Sequence, residues 1–355
     1  MENTVCGCSK TKVGVSIVVP CYNVERHIRA CLESLIEQDF RAYEIICVND
    51  GSTDGTAQVL REFTEEYPDL VHVVDKPNEG SWMARLDGIR VASGRYIAFL
   101  DGDDTAEPMF LSELYKAAMD SGADIVVCGF RRIGENGKEM SREFCSPRES
   151  IHLETDPGRI LEVNPAPWNK LFKREVLSCL PSIGCRPVMF DDLVLLLLSY
   201  ANGAKNISFT SSCLVNYFVR SGSQINSVKP EQLDGARSAM ANVRSVYELR
   251  ALGPAMMESL ASMAFLHIGV SMTFRIVSFS STVVEEEIVK TREFLDGVFP
   301  EWNTARCLCF RYAICHGFPM IRIWGAAIAF KSGLLPTLLL LYGRLIDATG
   351  IDMKW

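Results

Sequence analysis

The sequence predicts an α/β protein, a doubly wound and mostly parallel sheet followed by an all-helical C-terminal region. Three observations predict it. Between residues 13 and 128, short apolar runs alternate with stretches of helical period, joined by short loops. Turn formers and carboxylates gather immediately after the apolar runs. Beyond about Lys229 the strand-like runs stop and only helical periodicity continues.

The elements follow in order. Residues 15–19 are a continuous apolar run of strand length, and Val24, Ile28, Cys31, Leu32, Leu35 and Ile36 then recur at helical spacing. A strand over 43–48 precedes a helix over 56–66, with Val59, Leu60 and Phe63 on one face. A strand over 71–74 precedes a helix over 81–92, whose end is marked by Gly94. Strand 96–100, helix 111–119 and strand 124–128 complete the alternation. Residues 131–166 are polar and contain Gly and Pro, which predicts a loop or short hairpin. Helices are expected over 168–180 and 193–200, a strand over 213–219, and helices over 231–295. Three regions result: a short polar tail (1–12), a sheet domain (13–228) and a helical region (229–355).

Composition narrows the function. At roughly 150 residues per domain, a chain of this length holds about two. The chain has 355 residues, 36 Lys plus Arg against 44 Asp plus Glu, and a net charge of −8. That balance argues against a nucleic-acid binder, which draws its affinity from neutralising phosphates. With 48% hydrophobic and 23% charged residues, the chain is globular. Its 13 cysteines are scattered and form no paired CxxC clusters. They are expected as small buried hydrophobes in a reducing cytosol, with Cys6-Gly7-Cys8 and Cys307-Leu308-Cys309 as weak metal candidates. Residues 1–12 have no apolar core and are not expected to be a secretory signal. Mean hydropathy is +0.10, and residues after Arg306 contribute heavily.

Ligands of open α/β sheets bind outside the carboxyl ends of the strands, so those loops carry the functional reading. Pro20-Cys21-Tyr22-Asn23 follows the first strand, and Tyr22 offers a flat face for a base. Asn49-Asp50-Gly51-Ser52-Thr53-Asp54-Gly55 follows the second. An ordinary strand-to-helix turn and a carboxylate accepting from a base or ribose both fit that segment. Asp101-Gly102-Asp103-Asp104 follows the strand ending at Leu100. Three carboxylates so close repel unless a cation sits among them, and clustered Asp oxygens suit Mg2+ or Mn2+. A solvated acidic loop is the alternative.

Together with Asn78-Glu79-Gly80-x-x-x-Ala84-Arg85, Trp168-Asn169-Lys170-Leu171-Phe172-Lys173-Arg174 and Phe190-Asp191-Asp192, these segments resemble family 2 glycosyltransferases with the GT-A fold. The resemblance covers about residues 13 to 225. It implies an inverting transferase that moves a sugar from a nucleotide-diphosphate donor, UDP-linked, to a glycan or lipid-linked acceptor. Pro20, Tyr22, Asn23, Asp50, Arg85 and Asp101 would then bind the donor, and Asp101 and Asp103 the Mg2+ or Mn2+ ion. Asp192 would be the general base, with Trp168 and Asp191 beside the acceptor. Asn49 stands where the family has its first Asp, and Leu86 replaces the usual Asn after Arg85. Asp191 and Asp192 equally suit the capping of a helix start, and Trp168 equally suits packing.

Two other classes have distinct sequence requirements. A nucleotidyltransferase would need a glycine-rich phosphate loop after the first strand, which Pro20-Cys21-Tyr22-Asn23 lacks. A non-catalytic nucleotide-sugar-binding subunit would be favoured by loss of the Asp cluster or of Asp192, and both are present. In the tail, neither apolar stretch within 319–347 reaches the 18 uncharged residues or so of a spanning helix. Arg322, Lys331 and Arg344 with Trp324 and Tyr342 suit an interfacial helix. A helical pair packed on protein is the other reading. The expected location is the cytoplasm, peripheral on the inner face of the cell membrane.

Overall fold

The structure, a computed structural model, describes residues 13–144, 150–220, 230–276 and 281–349. The polar tail, with Cys6 and Cys8, and the boundary at 228 lie outside the described residues. The chain divides into two compact units. The first comprises residues 1–146, 167–178 and 208–218, the second 147–166, 179–207 and 219–355.

In the first unit, β1 (Val15–Cys21), β2 (Tyr43–Asp50), β3 (Val71–Lys76) and β4 (Tyr96–Phe99) form a parallel sheet in the order β3-β2-β1-β4. Strands β1 and β2 are buried along nearly their whole length, which is why their sequences are continuous apolar runs. Helices α1 (Ile28–Ile36), α2 (Thr56–Glu66) and α3 (Ser81–Val91) connect these strands. Helix α3 lies flush on β1: a Cβ at Gly88 would come within 2.3 Å of Val18 Cγ1. Short β5 (Thr105–Ala106) and α4 (Phe110–Ser121) lead to β6 (Ile125–Ile133), which makes a hairpin with β7 (Glu139–Glu143). The order continues from β4 through β9 (Lys170–Lys173), β6 and β10 (Asn206–Phe218) to β5.

The doubly wound arrangement is as expected, but the sheet is mixed. Strand β9 pairs antiparallel with both β4 and β6. Part of the helix expected over 168–180 is therefore strand, and only α5 (Arg174–Leu177) is helical. The reason is tertiary. Leu171 and Phe172 are fully buried between two strands whose backbone groups need partners.

The second unit contains β8 (Ile151–His152), α6 (Asp191–Ala201), α7 (Pro230–Leu249), α8 (Pro254–Ala264), α9 (Met272–Ile276) and α10 (Ser281–Val298). It closes with α11 (Phe310–His316), α12 (Phe318–Lys331) and α13 (Leu335–Thr349). Helices α8 and α9 are joined by a π-helical segment, Phe265–Ser271. The whole run Pro254–Ile276 is long and apolar enough to cross a membrane, yet 72% of its apolar window is buried in the protein. It is the core helix of this unit. Phe265 stacks on Trp302 at 5.2 Å, and both rings meet Phe330 of α12 edge-on at 5.6 Å. Arg237 of α7 reaches Glu287 of α10 at 2.8 Å, a buried ion pair.

Candidate active site

The strand order 3-2-1-4 reverses direction between β1 and β4, which makes the crevice beyond their carboxyl ends the natural ligand site. The loops after β1, β2 and β4 meet there. Asn23, at φ 52°, accepts from Thr53 N–H at 2.8 Å, and its own N–H donates to Ser52 Oγ at 3.2 Å. Glu25 N–H donates to Asp54 (3.1 Å) while Glu25 accepts from Gly55 N–H (3.0 Å). These reciprocal bonds clasp the first two loops together. Tyr22 is 48% exposed beside them, and Pro20 is half-buried at the end of β1. The β4 loop lies against the same place: a Cβ on Gly102 would come within 3.3 Å of Pro20 O and Val24 Cγ2.

Asp50 closes β2 with 3% exposure. Its carboxylate accepts from Lys76 Nζ (3.2 Å), Glu79 N–H (2.9 Å) and Gly80 N–H (2.7 Å). Gly80 has φ 89°, a backbone state that favours glycine, and opens α3. Lys76 also pairs with Glu79 at 2.8 Å and Asp87 at 3.5 Å. Burial opposes its charge, but Glu79 and Asp50 outweigh that and hold its pKa above the usual lysine value. Asn49 donates to Asp75 at 2.7 Å and accepts from Ser52 N–H, so the Asn that stands here in place of an Asp ties β2 to β3.

Arg85 is only 4% exposed and donates to Asp101 at 2.9 Å. Asp101 and Asp103 are half-buried, whereas Asp104 is 1% exposed. Burial, then the charge of Asp101, pushes the Asp104 carboxyl well above the usual carboxylate range, and a bond from Phe218 N–H (2.9 Å) opposes them. The three acids therefore divide. Two remain accessible in the crevice, and the third turns inward to hold the end of β10.

Among the described residues no three His, Cys, Asp or Glu side chains form a metal cage. The donor set at Asp101 and Asp103 fits a different arrangement. Two accessible carboxylates suit Mg2+ or Mn2+, which commonly takes one or two carboxylates and fills its shell with phosphate oxygens.

Trp168 is 7% exposed, stacked on Tyr217 at 5.4 Å and edge-on to Phe130 at 4.7 Å. Asp191 and Asp192 lie in the second unit, at the first turn of α6, and both are half-buried. Neither is preceded by a side-chain cap. The residue before them, Phe190, has φ 61° and sits edge-on to His267 (5.9 Å) with the Arg275 guanidinium 5.6 Å from its ring. Burial, with Arg275 adding to it, lowers the His267 pKa to about 4. Lys76, His267 and Arg275 carry no sequence-based expectation, and Phe190 carries one only as part of the Phe190-Asp191-Asp192 segment. Of the first three only Lys76, a lone base two residues beyond the strand expected over 71–74, leaves a local signal in the sequence.

The thiols nearest the crevice are Cys21, Cys31 and Cys47, all buried. The Cys21 thiol is pushed well up by its bond with Cys47 and by burial, and that of Cys31 by burial first. They pack as small hydrophobes. Cys307 is also buried, and Cys309 is exposed.

Known proteins resemble this chain in sequence and in fold. Residues 16–180 match the family described as Glycosyl transferase family 2. The uncharacterized glycosyltransferase YibD of Escherichia coli K12 is 39% identical over 130 residues, covering 36% of this chain and 38% of YibD. The poly(ribitol-phosphate) beta-glucosyltransferase of Bacillus spizizenii is 34% identical over 167 residues, 46% of this chain and 26% of that enzyme. The matches thus span less than half the length of either relative. The crystal structure of S. aureus TarS 1-349 in complex with UDP superposes with a TM-score of 0.66 at 20% identity, covering 96% of this chain and 93% of TarS 1-349. That likeness shows a shared fold.

Proposed function

We propose that this chain, whose residues 16–180 match glycosyl transferase family 2 and whose fold is shared with TarS, is a glycosyltransferase that transfers a sugar from a UDP-linked donor to a hydroxyl of a glycan or lipid-linked acceptor, with inversion. The observation that carries this reading is the split of the acidic loop. Asp101, tied to buried Arg85, and Asp103 stay accessible at the switch point while Asp104 is withdrawn. The UDP in the TarS complex supports a uridine donor.

In this reading the catalytic domain is 13–228. Tyr22 stacks on the base, with Pro20 and Asn23 shaping that side of the pocket. Asp50 holds the loop that starts α3 and contacts the base edge. Arg85 fixes Asp101, which faces the ribose. Asp101 and Asp103 would hold a Mg2+ or Mn2+ ion, whose chemistry is to neutralise the diphosphate leaving group. Asp192 takes the proton of the acceptor hydroxyl as that oxygen attacks the anomeric carbon. The new bond forms on one face while the carbon–oxygen bond to the diphosphate breaks on the other, and UDP leaves with the electron pair. One displacement inverts the centre, as in inverting glycosidases. Asp191 and Trp168 would contact the acceptor.

The acceptor brings the enzyme to the inner face of the cell membrane, with contact through 319–347. Nine of the large apolar side chains that stand exposed lie in α11, α12, α13 and the loops between them, including Phe310, Phe318, Leu338 and Leu341. Removing the whole tail would open the core, since Met320 and Phe330 are buried. The cleaner test is Leu338→Glu with Leu341→Glu, which should abolish sedimentation with vesicles.

The donor reading is tested by calorimetry and product mass spectrometry over a panel of UDP- and GDP-sugars with and without Mn2+. A UDP-sugar should bind in a Mn2+-dependent way that Asp103→Ala removes. Equal binding of UDP with and without Mn2+ in the unmutated enzyme would overturn the metal assignment. Turnover of GDP-sugars alone would overturn the uridine assignment.

A further inference from the structure

A cavity of about 460 Å3 lies wholly within the second unit. It is lined by Arg306, Cys309, Arg311, Tyr312, Cys315 and His316. Its floor is rigid. The Tyr312 hydroxyl donates to Asp156 at 2.9 Å, and His316 Nε2 lies 3.2 Å from the other Asp156 oxygen. The Tyr312 and His316 rings stack at 3.8 Å. Gly158 permits this closeness, because a Cβ there would stand 2.8 Å from the Tyr312 hydroxyl.

The rim is different. Arg306 and Arg311 are exposed, and among the described residues no carboxylate pairs with either guanidinium. Two acids stand near, and each is engaged elsewhere: Asp156 by the floor, and Glu258 by the Arg306 backbone N–H at 3.3 Å. The two cysteines and His316 do not belong to any metal cage among the described residues. What remains is a pair of uncommitted guanidinium groups over a cavity large enough for a small ligand. Guanidinium groups match phosphate oxygens in planar, two-pronged bonds.

Two further observations say where that phosphate comes from. Phe310 and Ile314 are 53% and 54% exposed on the same helix as Arg311, one turn apart. Residues 302–346 contain no Asp or Glu, yet carry Arg306, Arg311, Arg322, Lys331 and Arg344, in a chain whose net charge is −8. An apolar face beside an all-basic stretch is complementary to an anionic leaflet.

We propose that the cavity between Arg306 and His316 binds the phosphate of an anionic lipid headgroup, seating α11 on the bilayer. This rests on the membrane-contact reading above and adds a specific headgroup site to it. Phe310 and Ile314 enter the acyl boundary while Arg306 and Arg311 bracket the phosphate. Neither arginine belongs to the proposed catalytic machinery, so substituting them leaves the chemistry in place.

The test is sedimentation of the full chain with vesicles of phosphatidylcholine alone or with about one third phosphatidylglycerol. The anionic lipid should tighten binding by about thirty-fold if two basic residues each contribute at the surface. Arg306→Ala with Arg311→Ala should bring that advantage to about two-fold or less, while Lys331→Ala with Arg344→Ala should keep most of it. Glycerol phosphate at millimolar concentration should weaken binding of the unmutated chain only. Equal loss in both double variants would mean diffuse attraction and overturn the site, as would no loss in the first. Phosphate binding that competes with no vesicle would overturn the lipid assignment. The two readings fail separately. Binding to phosphatidylcholine without preference for the anionic lipid removes the headgroup site alone. Retained anionic binding in Leu338→Glu with Leu341→Glu removes the α13 contact alone.

Discussion

The loops of the first unit and the last helices of the second handle polar and apolar groups in opposite ways. In the first, almost every charged side chain at the strand ends is committed to a neighbour. Asp50 takes three donors, Lys76 meets three acids, and Arg85 holds Asp101. In the second, residues 306–341 leave two arginines and a row of large apolar side chains facing outward. Internal commitment builds a rigid pocket for one small ligand. Uncommitted groups on a helical surface are what an extended partner can meet. The difference separates preorganisation from docking, and it can be tested.

The largest expected effect falls on chemistry. Asp192→Asn should lower turnover by about 10²- to 10⁴-fold, the usual worth of a general base, with donor affinity kept. Near-normal turnover would assign the acid to helix capping instead.

Asp50→Asn should sharpen the claim of commitment. It leaves Lys76 beside a neutral amide and turns a donor toward a backbone N–H, so urea unfolding should show a loss of about 3 kcal/mol. A change near zero would mean the cluster around Asp50 relaxes freely.

His267 gives a comparable effect that appears only in acid. Its folded pKa of about 4 lies below the usual histidine value of 6.5. Between those values the unfolded chain binds the proton and the folded one does not, so stability falls as pH drops through this window. The full loss is about 3 kcal/mol. His267→Phe, which keeps a ring against Phe190, should unfold with that acid-dependent loss removed. An unchanged pH profile would show that the burial is not maintained in solution.

The smallest effect concerns Trp168. Trp168→Phe should cost about 1 kcal/mol through the lost stack on Tyr217. An unchanged acceptor KM would make the residue purely a packing element, and a raised KM with kcat kept would place it at the acceptor.

Much of this protein was legible in its sequence. Strand and helix alternation, the loops at Tyr22, Asp50 and Asp101, and a helix over 193–200 all follow from local periodicity and turn chemistry. Those signals are local because a buried parallel strand is a continuous apolar run and a helix repeats every 3.6 residues. What the tertiary structure decided is nonlocal. Leu171 and Phe172 became strand because two edges needed pairing. Asp104 parted from Asp101 and Asp103 because Phe218, more than a hundred residues away, supplies its donor. Phe190 holds a left-handed backbone between His267 and Arg275, and Arg306 with Arg311 stand over a floor set by Asp156. Each depends on partners distant in the chain, and a sequence pattern records residue types and spacing but not which distant groups satisfy one another.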